Sequence, residues 1–294
     1  MQPLVSITVL SHNKAPYTQR CLDSLLLSTG QHFEVIIVDN GSTDGTVEFL
    51  REYEGACAGR GIECKLILSD TNMGAPTARN RAIEIAEGDY LAFLDNDVAV
   101  RTLPWMTGLR RALEGTERAG IVAPKLVFPF SPYPIECAGC AVSPSGRVGY
   151  LGRGQPRTQA EYERPAERQC LISACIMVTR TLIDCVGVFD EAFNPVQYED
   201  IDLCYRARAA GFKMLYDPAV EMYHFENVTT EGSVDLNFKY LTIKNGLLFK
   251  RRWRHMFEHE GGPPDEQLRW RELDRKTVFE VGELPTLKRL RRTQ

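Results

Sequence analysis

Four apolar runs in the first third of the chain each close on a polar turn, and a helix-forming stretch follows each of the first three. Val5-Ser6-Ile7-Thr8-Val9-Leu10 ends at Ser11-His12-Asn13, and a helix is expected from about Pro16 to Leu27 through Tyr17, Cys21, Leu22, Leu25 and Leu26. Phe33 to Asp39 finishes on a carboxylate, and Asn40 to Thr46 supplies turn and capping chemistry before a helix through Tyr53. Lys65 to Leu68 is a third strand, followed by the loop Asn72-Met73-Gly74 and a helix from Ala75 to Ala86. Gly88-Asp89 then leads into the fourth run, Tyr90 to Val98. A repeat of about thirty residues is that of β-α-β units, whose strands run parallel and are covered by helices on both faces. The predicted class is α/β, with a mostly parallel central sheet flanked by helices.

The fourth run ends in two carboxylates spaced one residue apart, Asp95 and Asp97. The carboxyl ends of parallel strands are where open α/β sheets bind ligands. On an extended chain Asp95 and Asp97 point to one side and Asn96 to the other. Two such oxygen donors suit a hard divalent cation, Mn²⁺ or Mg²⁺, which completes its shell with substrate phosphates. An isolated Asp-x-Asp more often caps a loop; a second strand ending in Asp39 shifts the reading toward the cation. No GxGxxG follows the first strand and no P-loop is present, so phosphate must be held in another way.

The second half is less regular. A helix is expected over Trp105 to Leu113 and a strand within Ala119 to Val127, with loops and short strands through the Pro- and Gly-rich stretch 129–154. Arg157 to Arg168 is charged and reads as a mobile loop or lid. Leu171 to Val178 reads as a strand and Thr181 to Val186 as a short helix. A helix over Leu203 to Ala210 stops at Gly211. Lys213 to Tyr216 and Val220 to His224 read as two strands, and a long helix is expected from Asp235 to about Phe257. His255 and His259 read as exposed. Glu260 to Asp265 is a break, so 258–294 is expected to be a charged tail peripheral to the chemistry and removable after Phe257, with a basic end at Lys288, Arg289, Arg291 and Arg292. Residues 1–100 and 101–257 then form two halves of one domain.

Composition narrows the function. Basic residues number 35 and acidic ones 39, for a formal net charge of -4, which argues against nucleic acid as the main partner. No apolar stretch is long enough to span a bilayer and no signal peptide is evident, which predicts a cytoplasmic protein; peripheral contact at the inner face of a membrane stays open through the basic end. Nine cysteines then read as thiols. Cys137, Cys140, Cys170 and Cys175 could in principle hold zinc, but Cys175 lies in an apolar run, and core thiols are the simpler reading.

The segments Val5 to Asn13, Val38-Asp39-Asn40-Gly41-Ser42-Thr43-Asp44-Gly45-Thr46, Asn72-Met73-Gly74 with Ala78-Arg79-Asn80, and Leu94-Asp95-Asn96-Asp97 together resemble the family 2 glycosyltransferases of GT-A fold, a Rossmann-like sheet with an acceptor-binding second half. Phe189-Asp190-Glu191, Tyr198 to Ala207 and Tyr223-His224 look like the rhamnosyltransferase-type branch, and the resemblance runs over roughly residues 4 to 250. It implies an inverting, metal-dependent transfer of a sugar from a UDP-, dTDP- or GDP-sugar to a hydroxyl of a glycan or lipid-linked acceptor in polysaccharide, glycolipid or cell-envelope synthesis. Carried over residue by residue, it implies that Asp39 faces the base or ribose, with Ser11 and Asn13 in the same region, and that Asn72, Gly74 and Arg79 line the nucleotide and diphosphate. For Arg79 a helix-surface ion pair is an equal alternative. Asp95 would contact the ribose or the cation's water shell, Asp97 would ligate the cation, and His224 would be a third ligand or a structural histidine.

Asp200 is the implied catalytic base, because inversion needs a carboxylate to take the acceptor's proton. Asp202 competes for that role but reads better as the cap of the helix after it. Glu199 would orient the acceptor or the base, and Trp105 is a further candidate acceptor contact. Ser11-His12-Asn13 departs from the Thr/Pro-Tyr-Asn more usual after the first strand, which puts base and sugar contacts there in doubt. Two rivals remain. A nucleotidyltransferase should carry a Gly-rich, Arg-containing loop after the first strand, which is missing; a non-catalytic sugar-nucleotide-binding module would not need Asp200.

Overall fold

The structure is a computed structural model and describes residues 3–226, 228 and 237–290. The expected helix start at Asp235 and the basic residues Arg291 and Arg292 lie outside them. In chain order the elements are β1 (Val5–Ser11), α1 (Ala15–Leu25), β2 (Phe33–Asn40), α2 (Thr46–Ala58), β3 (Glu63–Ser69), α3 (Ala75–Ile85), β4 (Tyr90–Asp95), β5 (Val98–Val100), α4 (Trp105–Glu114) and β6 (Ala119–Val127). Then come β7 (Ile135–Cys137), β8 (Cys140–Val142), β9 (Val148–Tyr150), β10 (Ala166–Glu167), β11 (Cys175–Thr179), α5 (Arg180–Val186), α6 (Glu199–Ala209), β12 (Lys213–His224), α7 (Phe238–Phe257), α8 (Val278–Val281) and α9 (Pro285–Leu290).

A single sheet runs β10-β12-β6-β11-β4-β1-β2-β3, with β5 added on β12 and β7 on β6. The strands β3, β2, β1 and β4 are parallel, as the repeat predicts. Every residue of β2 is buried, and so is all of β1 but one, because helices cover both faces; this is why those strands read as continuous apolar runs. On α1 the buried residues Thr18, Cys21, Leu22 and Leu25 follow helical spacing, and Pro opens the first turn of both α1 and α3, where its missing N–H costs nothing. In register, Leu10 lies between Val38 and Asp95, so β1, β2 and β4 end together at one rim.

The second half joins that sheet through β11, which is antiparallel to both β4 and β6. Five expectations are corrected here. The two strands expected over 213–224 are one strand, β12, irregular between Asp217 and Glu221. The strand expected from Leu171 begins only at Cys175, because residues 171–174 turn along the cleft. Helix α6 starts at Glu199, not Leu203. Arg157–Arg168 is no lid: Tyr162 is buried, β10 pairs with β12, and the buried Lys125 ammonium donates to the carbonyl of Arg157 and to Glu163. The fifth concerns the C-terminal segment. Leu268, Val278 and Leu284 are buried, Glu260 accepts from Tyr205 and Gln169 and pairs with Arg208, and a Cβ on Gly262 would sit 1.9 Å from the Val142 carbonyl. The segment after Phe257 is therefore a strap laid against the body, not a peripheral tail.

Candidate active site

At the rim where β1, β2 and β4 end lies a cleft of about 610 Å³, within the range of small-molecule sites. β4 stops at Asp95, Asn96 and Asp97 turn, and β5 resumes at Val98, paired with the end of β12. That pairing sets Val98 opposite His224, so the two elements bring Asp95, Asp97 and His224 together, with one donor atom from each lying within 4.8 Å of the others. The Asn96 amide donates to Thr18 and to the Asn13 carbonyl, on the side of α1. His224 Nε2 is 3.4 Å from Asp97, and its Nδ1 is 3.3 Å from the fully buried Glu136, the residue ahead of the Cys137-Ala138-Gly139-Cys140 turn. Burial alone would depress His224, but the carboxylates of Asp97 and Glu136 outweigh it and raise the imidazole well above its ordinary value. Asp95 is pushed up, mainly by burial, against the pull of Arg79. Two carboxylate oxygens and an imidazole nitrogen at one cleft wall form a donor set that fits a divalent cation such as Mn²⁺.

Asp200 lines the same cleft, from the first turn of α6. One carboxylate oxygen accepts from the Ser173 backbone N–H at 3.0 Å and the other from its neighbour Ile201 at 2.8 Å. Burial raises its pKa, while these N–H groups and Arg79 oppose the rise. Glu199 is pushed up to about 7, by burial first and by Asp200 second. Arg79, itself buried, links the two carboxylate sets: Nη1 donates to Glu199 at 2.8 Å and Nη2 to Asp95 at 2.7 Å. Arg79 lines the cleft, and the ion pair weighed for it is present, though buried rather than on a helix surface.

The turn before α6 holds two consecutive non-glycine residues at positive φ, Gln197 at 86° and Tyr198 at 72°, and both line the cleft. Such conformations cost on the order of 1–3 kcal/mol each and persist only where the surroundings impose them. Here the Asn245 amide of α7 donates to the carbonyls of Phe193, Val196 and Gln197, and the Tyr198 ring packs 5.5 Å from Phe249.

Several sequence-based assignments land elsewhere. Asp202 caps nothing: it is fully buried and accepts from Arg206, Arg252 and Trp253, away from the cleft. Trp105 is fully buried with its indole N–H on Ser28, so it is no acceptor contact. Ser11 is also buried, paired with Thr18, and its neighbour His12 faces the cleft instead, with Nδ1 2.9 Å from the Asn40 carbonyl. Asp39 is 1% exposed and accepts the backbone N–H and hydroxyl of Ser42, so it caps the turn it begins, a role compatible with the implied contact to the base or ribose. Asn13 serves the same turn, accepting from Thr43 N–H. Asn72 does line the cleft, and its side chain accepts from Asn40 and from Gly74 N–H. Gly74, at φ +85°, packs so closely that a Cβ would fall 2.3 Å from Asn194.

The sequence reading missed the far side of the cleft. Tyr150, Trp270, Glu272 and Arg275 line it, the last three from the strap. Arg153 binds Glu226 through two bonds of 2.7 and 2.9 Å, lies 3.6 Å from Glu136, and stacks 3.8 Å under Trp270. The strap is thus tied to the surroundings of His224. Only the break at Gly261-Gly262-Pro263-Pro264 marks it in sequence, and that signal points the other way.

Comparison with known proteins adds the following. Residues 6–148 match the family model described as glycosyl transferase family 2. The chain is 30% identical over 249 residues to the N-acetylglucosaminyl-diphospho-decaprenol L-rhamnosyltransferase of Mycobacterium tuberculosis, covering 78% of each chain. It is 30% identical over 259 residues to the uncharacterized protein y4gI of Sinorhizobium fredii, of which it spans 28% while 86% of this chain is covered. Among solved structures, GalNAc-T7 with UDP, GalNAc and Mn²⁺ superposes with a TM-score of 0.70 at 18% identity, over 87% of this chain and 49% of that one. The Pyrobaculum calidifontis mannosyltransferase PcManGT with GDP-Man and Mn²⁺ gives a TM-score of 0.57 at 20% identity, over 79% and 59%.

Proposed function

This chain belongs to glycosyl transferase family 2 and has the GT-A fold, and from that premise we propose that it catalyses an inverting, divalent-cation-dependent transfer from a nucleotide-diphosphate sugar to a hydroxyl acceptor. The observation that carries the proposal is the presence, in one cleft, of both the Asp95, Asp97 and His224 donor set and the Asp200 carboxylate. Asp97, His224 and Asp95 would hold the cation. When bound, the cation stabilises the negative charge that develops on the departing diphosphate. Asp200 takes the proton of the acceptor hydroxyl as that oxygen attacks the anomeric carbon; its raised pKa makes it a better base than an ordinary aspartate. Arg79 keeps Asp95 and Glu199 at fixed places, so the two carboxylate sets keep separate tasks. Asn72 with Asn40 and His12 forms the wall for the nucleotide. The name of the Mycobacterium relative supports an L-rhamnosyl-type donor and a lipid-linked diphosphate acceptor of a cell-envelope glycan.

Replacing Asp97 by Ala is expected to abolish or greatly weaken Mn²⁺-dependent binding of a nucleoside diphosphate. Calorimetry with UDP, GDP and dTDP, with and without Mn²⁺, reads this directly and also selects the base. Binding that is unchanged by the substitution overturns the cation assignment. Glu136 is placed to orient the imidazole, with its carboxylate 3.3 Å from Nδ1, which leaves Nε2 toward Asp97. Glu136→Gln is therefore expected to weaken Mn²⁺ affinity by about 10–100-fold, the usual effect of losing an outer-shell partner. Manganese titration followed by electron paramagnetic resonance measures it without any turnover, and an affinity equal to wild type means that His224 is oriented by packing alone.

A further inference from the structure

Helix α7 has two faces of opposite character. Leu241, Asn245, Phe249, Trp253 and Phe257 recur every fourth residue and form its inner ridge; Phe249 and Phe257 belong to the main core. On the opposite face Tyr240, Ile243 and Leu247 are 60%, 55% and 63% exposed, at the spacing that aligns residues on one side of a helix. Exposed apolar residues scattered singly need no explanation, but these three share one face. The same helix carries six lysines and arginines and no acidic residue, in a chain of net charge -4. Lys239, Lys244, Arg251 and Arg254 are exposed around and beyond the apolar stripe.

We infer that this face of α7 docks the protein on an anionic bilayer. An apolar stripe flanked by cations, on a helix whose acidic neighbour Glu258 is paired with Arg254 at its C-terminal end, suits the headgroup boundary. There apolar side chains enter the acyl region, lysine stems extend along it, and the ammonium groups meet lipid phosphates. Tyrosine suits that depth, with an apolar ring and a polar hydroxyl. A protein partner is a poorer fit, because Tyr240, Ile243 and Leu247 do not line the cleft and the exposed cations around them match an extended anionic surface. Docking there also has a consequence for the cleft. Phe238 and Thr242 of the same helix line it, and Asn245 holds the 193–197 turn on its wall. A bilayer against the outer face of α7 thus lies about one helix diameter, roughly 10 Å, from the cleft.

Sedimentation of the full chain with lipid vesicles tests the inference. The chain is expected to sediment with phosphatidylcholine vesicles containing phosphatidylglycerol, less so at high salt, and to stay in the supernatant with phosphatidylcholine alone. Tyr240→Ser, Ile243→Ser and Leu247→Ser combined should reduce vesicle binding by about tenfold or more. Lys239→Glu, Lys244→Glu and Arg251→Glu combined should remove the dependence on phosphatidylglycerol. Both variants should keep the wild-type melting temperature and Mn²⁺-dependent nucleotide binding, since these side chains are exposed and outside the cleft. The inference is overturned if the wild-type chain ignores anionic vesicles, or if both variants sediment as wild type does. It is also overturned if the serine variant converts a wild-type dimer to monomer, which assigns the face to a second copy. Nucleotide binding is read separately, so failure of the glycosyl-transfer reading and failure of this one are distinguishable.

Discussion

Asp200→Asn should lower turnover by about 10²–10⁴-fold, the usual loss on removing a general base, while Mn²⁺ and nucleotide affinity stay at wild-type values. The amide keeps the shape and still accepts from the Ser173 or Ile201 N–H, but it cannot take a proton. The same assignment fixes the sign of the pH dependence. A base must be deprotonated to work, so kcat/KM falls as pH drops through its pKa. Burial raises Asp200, and its neighbour Glu199 is pushed up to about 7, so the acid limb should lie above the ordinary carboxylate range and report the pair. In Asp200→Asn that limb should disappear from the residual rate. Asp202→Asn is the contrast. Its carboxylate is fully buried among Arg206, Arg252 and Trp253, so the substitution should lower the melting temperature without a specific loss of kcat. If Asp202→Asn abolishes transfer and Asp200→Asn does not, the base is misassigned. Product that retains anomeric configuration by NMR would reject the single in-line displacement altogether.

The parts of this fold that follow from local periodicity could be read without coordinates. The apolar runs of β1, β2 and β4, with Asp39 near the end of β2 and Asp95 and Asp97 at the end of β4, predict a parallel sheet with a rim of donors, and Asp95 and Asp97 meet there with His224, which the family resemblance supplied. Parity at a strand end is harder. Ser11 and His12 are consecutive, only one can face the cleft, and which one it is depends on how α1 packs against Thr18. Asp39 shows that a strand-end carboxylate can be engaged by its own turn, since the backbone N–H of Ser42 donates to one oxygen and the Ser42 hydroxyl to the other. Glu136 could not be found from sequence: it sits in a three-residue strand, and its meaning comes from His224, 88 residues on (224 − 136), through a contact that only β6, β7 and β12 together create.

Ending the chain after Phe257 is expected to give an insoluble or strongly destabilised protein, contrary to what the turn-rich break at 260–265 suggests. Leu268, Val278 and Leu284 are each at most 5% exposed. Burying such side chains is worth about 1.5–3 kcal/mol apiece, so their loss is comparable with the roughly 5–15 kcal/mol that holds a whole domain together. Deletion also uncovers what the strap protects. Leu284 closes a cluster with Ala99, Val127 and Tyr223, next to the β5–β12 pairing that sets His224 beside Asp97. Removing Trp270 opens the far wall of the cleft and exposes Arg153, whose partner Glu226 also loses the Arg275 bond to its carbonyl. Point variants separate stability from site. Leu284→Ala should cost about 2–5 kcal/mol, read as a lower melting temperature with nucleotide affinity kept while the protein is folded. Trp270→Ala removes a half-exposed ring and should weaken ligand binding in the cleft more than it lowers the melting point. Circular dichroism, thermal melting and calorimetry on the truncated chain decide the main question. A soluble product with wild-type melting and wild-type nucleotide binding would mean that the strap contributes neither to the core nor to the cleft, and that residues 3–257 are the complete catalytic unit.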